Sequence, residues 1–176
     1  MASRRAFLKV GVGAALVLAV GGGIYRATRP AGAAAPHTPF VLDGAALAAL
    51  RAIVPALLAG ALAAGPGRAR AIEDVIAHVH DAIRMLPPGS QKDIQDLFGL
   101  LALGPARRLL TGIAGPWSQA APEEVGSFLQ DWRVSQFGLL RAGYGALQNL
   151  VMGVWYAAPA HWEAIGYPGP QLEFAA

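Results

Sequence analysis

Between Phe137 and Val154 the large apolar residues Phe137, Leu140, Tyr144, Leu147, Val151 and Val154 recur in alternating steps of three and four, a spacing that only an α-helix brings onto one face. A second row, Gly138, Ala142, Gly145, Asn149 and Gly153, is made almost wholly of small side chains, and the strongly polar residues of the segment are Arg141, Gln148 and Asn149. The pattern predicts a helix over 135–157 that is apolar around most of its circumference. Such a helix lies either in the core or half in the core and half in an interface. Each glycine costs about 1 kcal/mol of helix propensity relative to alanine. Close approach of a second backbone, from this chain or from another, is the compensation to look for.

Upstream, proline and glycine cut the chain into helix-length pieces. Asp43 is placed to cap a helix through Ala45, Leu47, Leu50, Val54 and Leu57, which Pro55 should kink. The stretch 44–65 is apolar, but Arg51, Pro55 and its alanine content favour a packed helix over a membrane span. After Gly65-Pro66-Gly67, the residues Ile72, Val75, Ile76, Val79, Ile83 and Leu86 form an amphipathic stripe that Pro87-Pro88-Gly89 ends. Ser90 with Asp93 reads as a variant capping box for a helix through Ile94, Leu97, Phe98 and Leu101. Gly104-Pro105 and Gly115-Pro116 bracket a short helix over 106–113. Pro122, Glu123 and Glu124 then suit a first turn, followed by a stripe of Val125, Phe128, Leu129 and Trp132. No segment alternates with period two and no repeat is visible. The fold class is therefore all-α, a small bundle of about five to six helices.

The chain of 176 residues has room for one core. Its pI of about 9.7 and mean hydropathy of +0.42 suggest an anionic partner or a membrane. The charge is unevenly placed, however: Arg4, Arg5, Lys9, Arg26 and Arg29 lie in the first 33 residues, which contain no acid, whereas the other nine basic and all eleven acidic side chains lie beyond. Without that first segment the chain is slightly acidic, which removes the main support for nucleic-acid binding. The segment itself has the three parts of an export leader: a basic start, an apolar stretch over 10–24, and the small residues Ala31 and Ala33 before a cleavage point. Ser3, Arg4, Arg5, Phe7, Leu8 and Lys9, with an apolar stretch diluted by glycine, mark the twin-arginine type, which passes folded proteins to the translocase. Retention as an anchor is the alternative, although the 15 apolar residues fall short of the roughly 20 that span a bilayer. The expected organisation is a cleavable signal at 1–33, a linker at 34–42, and one helical domain at 43–176 with an extended aromatic tail from 158. The expected location is the periplasm, associated with the inner membrane through its complex, with the chain itself touching the membrane only through the signal.

Chemistry-bearing groups are sparse. Cysteine is absent, which excludes disulfides, thiolate metal sites and haem attachment through Cys. His78 and His80 stand two apart on a predicted helix and face different directions, so they cannot share one metal. Glu73, Asp74 and Asp81 occupy the polar side expected of any amphipathic helix. His161, among aromatics, has the choice of a partner carboxylate or simple stacking. No phosphate loop, dinucleotide fingerprint, nucleophile elbow or zinc-binding helix motif is present. We expect no catalytic, cofactor-binding or metal-binding residues in this chain. A folded-export signal without a cofactor site suggests that a second chain holds the cofactor and this one carries the address.

The tail packs Trp155, Tyr156, Trp162 and Tyr167 into 13 residues with three prolines, and ends Ile165-Gly166-Tyr167-Pro168-Gly169. With the Ser3–Lys9 signal and the long final helix running into Tyr156, this ending resembles the gluconate 2-dehydrogenase subunit 3 family, the twin-arginine small subunits of flavin-dependent glucose-methanol-choline (GMC) oxidoreductases. The resemblance covers the two ends of the chain and is only architectural between them. Ala158 stands where many of those relatives carry an acid. What the resemblance implies is a non-catalytic small subunit that supports folding and twin-arginine export of an FAD-containing dehydrogenase, often accompanied by a cytochrome c. Tyr144, Trp155, Tyr156, Trp162, Ile165, Tyr167 and Pro168 are the residues expected to meet that partner. The alternative is an independent helical binding protein for an apolar ligand.

Overall fold

The computed structural model describes residues 39–162 and 165–169. The expected signal residues Ser3, Arg4, Arg5, Phe7, Leu8 and Lys9 and the cleavage residues Ala31 and Ala33 lie outside the described residues. Among the described residues six α-helices follow in order: α1 (Gly44–Leu57), α2 (Arg68–Arg84), α3 (Pro88–Ala102), α4 (Gly104–Thr111), α5 (Pro122–Arg133) and α6 (Gly138–Ala157). Single 3-10 turns at Trp117–Gln119 and Pro159–His161 complete the secondary structure, and no strand occurs among the described residues. The expected all-α bundle is what is seen.

α1 runs through the middle, packed against α2, α3, α5, α6 and the Trp117 turn. Asp43 caps it as expected, its carboxylate accepting the Ala46 amide at 2.7 Å. The buried face differs from the one marked by its large residues: Ala46, Ala49, Leu50, Ile53 and Val54 are inward, whereas Ala45 is exposed and Leu47 and Leu57 are half-buried. A central helix crossed on several sides needs thin side chains at the crossings, so alanine takes core positions that a count of bulky residues overlooks. Pro55 sits in the last turn of α1, which ends two residues later.

The α2 stripe is buried at Val75, Ile76, Val79 and Ile83, and the α5 stripe at Val125, Phe128, Leu129 and Trp132, as the spacing predicts. α3 begins earlier than its expected cap. Pro87 is the N-cap and Pro88 opens the helix, so Ser90 lies inside the first turn and makes no capping hydrogen bond. Proline loses nothing at a first helical position, where no intrahelical amide bond exists. α5 likewise opens on Pro122, and the Glu124 carboxylate accepts the Ala121 amide at 3.0 Å.

One buried polar residue ties the start of the domain to this frame. Gln91, 6% exposed, donates to the carbonyls of Arg84 (3.0 Å) and Leu86 (2.8 Å) and accepts the Phe40 amide at 3.2 Å. Phe40, which lies in the expected linker, is buried against Phe98 and His80. Farther along, Trp117, Phe128 and Trp132 pack edge to face, with ring centroids 5.7 and 5.6 Å apart. The indole N–H groups of Trp117, Trp132 and Trp162 donate to the carbonyls of Leu101 (2.9 Å), Leu110 (2.8 Å) and Tyr156 (2.7 Å). Each of those carbonyls lies in the last turn of a helix, where it has no intrahelical partner.

Candidate functional site

α6 starts at Gly138, three residues later than its pattern suggests, because Ser135 to Phe137 form a separate turn. There the Ser135 hydroxyl accepts the Phe137 amide at 3.1 Å and its carbonyl accepts from Arg141 at 2.5 Å. The inward face of α6 is centred on Leu147, Val151 and Trp155, with Leu140, Tyr144 and Val154 half-buried and Phe137 exposed.

The small-residue row has a different fate from the close approach its glycines suggested. Gly138, Ala142, Asn149 and Gly153 are exposed, and nothing lies within 4 Å of where a Cβ would stand at Gly145 or Gly153. Gly145 is half-buried, and among the described residues no other helix covers that row. The α6 glycine that meets a side chain of another described helix is Gly143, which the pattern did not single out. A Cβ there would stand 2.7 Å from the Trp132 ring. Next to the uncovered row, Val134, Phe137 and Leu139 also present apolar surface, Leu139 being 63% exposed. Leu139 stands outside the stripe of large residues, which is the only sequence sign of its outward direction.

Beyond α6 the tail turns back on the helix end. His161 stacks face to face on Trp155 with centroids 3.6 Å apart and planes at 5°, and its Nδ1 lies 2.7 Å from the Trp155 carbonyl. Trp162 meets Tyr167 edge-on at 5.2 Å, and the Tyr167 amide donates to the Trp162 carbonyl at 3.0 Å. Of the residues expected to meet a partner, Trp155 is buried within this chain, Tyr144, Tyr156 and Trp162 are half-buried, and Ile165, Tyr167 and Pro168 are exposed. The tail therefore presents its outer end, while its inner aromatics are engaged locally.

The charged groups are mostly dispersed. Arg51 and Glu73 form a two-pronged pair at 2.7 and 3.0 Å between α1 and α2. The Arg51 hydrogen bond, reinforced by its charge, holds the Glu73 carboxyl below its usual range, and the same bond raises Arg51. Arg107 is 9% exposed, and its buried Nε has no hydrogen-bond partner among the described residues. His78 is exposed, with Nδ1 2.7 Å from the Asp74 carbonyl, whereas His80 turns toward Phe40. Among the described residues no three His, Asp or Glu side chains are grouped to hold a metal ion. No helix among them is long and apolar enough to cross a membrane.

Two open grooves mark the surface. The larger, about 820 Å³, lies along α1 and is floored by Ala48, Ala52, Ala56 and Trp117 with Arg51 and Arg68 among its lining residues. The smaller, about 440 Å³, lies between α2 and the end of α6. What the described residues form is a small all-helical domain with exposed apolar and small-residue surface on its last helix. No protein-family model matches the chain, and searches of curated proteins and of solved structures found no match either.

Proposed function

We propose that this chain is the non-catalytic small subunit of a periplasmic, FAD-dependent dehydrogenase of the GMC type, which it helps to fold, carries through the twin-arginine translocase and stays bound to. The observation that carries this reading is the uncovered row of α6, continued by the exposed Phe137, Leu139, Ile165 and Tyr167. Helical glycines such as Gly145 and Gly153, which meet nothing among the described residues, are costly, and a partner's backbone seated on them would offset that cost. The Arg4-Arg5 signal and the likeness of both chain ends to the gluconate 2-dehydrogenase subunit 3 family support the same reading.

The test is co-expression with a GMC-type flavoprotein that lacks its own signal. With the intact chain the flavoprotein should reach the periplasm and copurify. Changing Arg4 and Arg5 to Lys should hold both in the cytoplasm, and a flavoprotein that still arrives in the periplasm would sink the carrier role. The second reading, an independent binding protein for an apolar ligand, is favoured by the alanine-floored groove along α1. A stable monomer that ignores the flavoprotein would support it.

A further inference from the structure

Arg107 carries a charge that the fold leaves unanswered. Its side chain is more than nine-tenths buried, its Nε has no hydrogen-bond partner among the described residues, and none of the ion pairs among them includes it. From position 97 to position 122 the chain holds Arg107 and Arg108 and no acid. A guanidinium keeps its charge inside a protein, so burying one without a partner is costly. The backbone beneath it is fixed: the Arg107 amide donates to the Leu103 carbonyl at 2.8 Å, and the Arg107 carbonyl accepts from the Thr111 hydroxyl at 2.8 Å. From that root the side chain runs back toward the start of α4, where Nη2 lies 3.9 Å from the place a Cβ would take on Gly104.

The helix start under that guanidinium is itself open. α4 has eight residues, its N-cap is Leu103, and no side chain caps it. Pro105 has no N–H, which leaves the amides of Gly104 and Ala106 as first-turn donors directed out of the helix end. Leu103 and Pro105 are exposed and Gly104 and Ala106 half-buried, so solvent reaches the turn. We infer that the first turn of α4 and the Arg107 guanidinium form a receptor for an oxyanion, a carboxylate or a phosphate group. Two amides, the positive end of the helix dipole and a planar guanidinium are all complementary to such a group, and a guanidinium can pair two of its oxygens at once. A cation would be repelled by the same groups. The inference stands apart from the proposed function, since it concerns α4 and not the exposed row of α6.

The test is titration of the ¹⁵N-labelled full chain with inorganic phosphate and, separately, with acetate, at neutral pH and an ionic strength held constant with chloride. The Gly104 and Ala106 amides and the Arg107 Nε–H should shift saturably; a response to acetate alone makes the site one for carboxylates, and a response to phosphate alone one for phosphate groups. Arg107→Lys keeps the charge and a similar stem but loses the fork, and should weaken binding about tenfold or more, the loss expected for hydrogen bonds to a charged group. Arg107→Met removes the unpaired charge, so in chloride it should melt no lower than the parent, and it should abolish the response. Absence of a saturable shift with either anion would overturn the inference. So would shifts that survive Arg107→Met, or a Met variant that melts well below the parent in chloride, which would show the guanidinium already paired within the chain.

Discussion

Replacing Gly143 with alanine tests the packing of the last helix at its tightest point. The added Cβ would stand 2.7 and 3.2 Å from two carbons of the Trp132 ring, against the roughly 3.5–4.0 Å of an ordinary carbon contact. Trp132 cannot step aside cheaply, because its indole N–H is bonded to the Leu110 carbonyl at 2.8 Å and its ring is set edge-on against Phe128 at 5.6 Å. Overpacking of this kind costs about 1–3 kcal/mol. Alanine regains about 1 kcal/mol of helix propensity over glycine. The net expectation is a loss of roughly 0–2 kcal/mol. Gly145→Ala, two residues on, meets nothing within 4 Å, and should gain about 1 kcal/mol. Both substitutions share the propensity gain, so the difference between the two variants isolates the clash at about 1–3 kcal/mol. Urea unfolding followed by circular dichroism reads it as a shift of midpoint at constant slope. If both variants are stabilised equally, the Trp132 ring is not where the structure puts it, and the reasoning fails.

Two other substitutions probe the frame. Gln91→Leu removes the partner of two carbonyls and one amide together, so a loss of about 2–4 kcal/mol is expected in the same unfolding assay, and a loss under about 0.5 kcal/mol would show that water replaces the amide. Glu73→Gln tests pH dependence. Because the folded Glu73 carboxyl lies below its usual 4.5, its contribution is complete above that value and disappears as the pH falls through the lower folded one. Thermal melts should show the variant less stable than the parent at neutral pH, with the gap closing in acid. A gap that persists unchanged in acid would refute the ion-pair origin.

The faces of α2 and α5 were legible because an amphipathic helix writes its buried side into its spacing: Val75, Ile76, Val79 and Ile83, and again Val125, Phe128, Leu129 and Trp132, are buried as read. α1 and α6 were harder. Both are apolar on most sides, so spacing restricts the inward face without choosing it, and the choice falls to neighbours distant in the chain. Gln91 could not be foreseen as buried, since its three partners come from the last residue of α2, the loop after it and the segment before α1. Of the candidate surface, sequence alone marked the small residues of α6 and the aromatic tail. That Gly145 is open while Gly143 faces a ring depends on where α5 lies, a relation that no local pattern encodes.

Three helices in this domain have a last-turn carbonyl closed by an indole N–H. For α3 and α4 the tryptophan comes from 16 and 22 positions farther on, and for α6 from 6 positions on, within the folded-back tail. In a chain that stops short of Trp132 the Leu110 carbonyl is left to water, although Gly112 already ends α4 in a left-handed cap. A chain synthesised from its N-terminus therefore takes these helix-end carbonyls out of water only when the aromatic residues that cover them have emerged and docked.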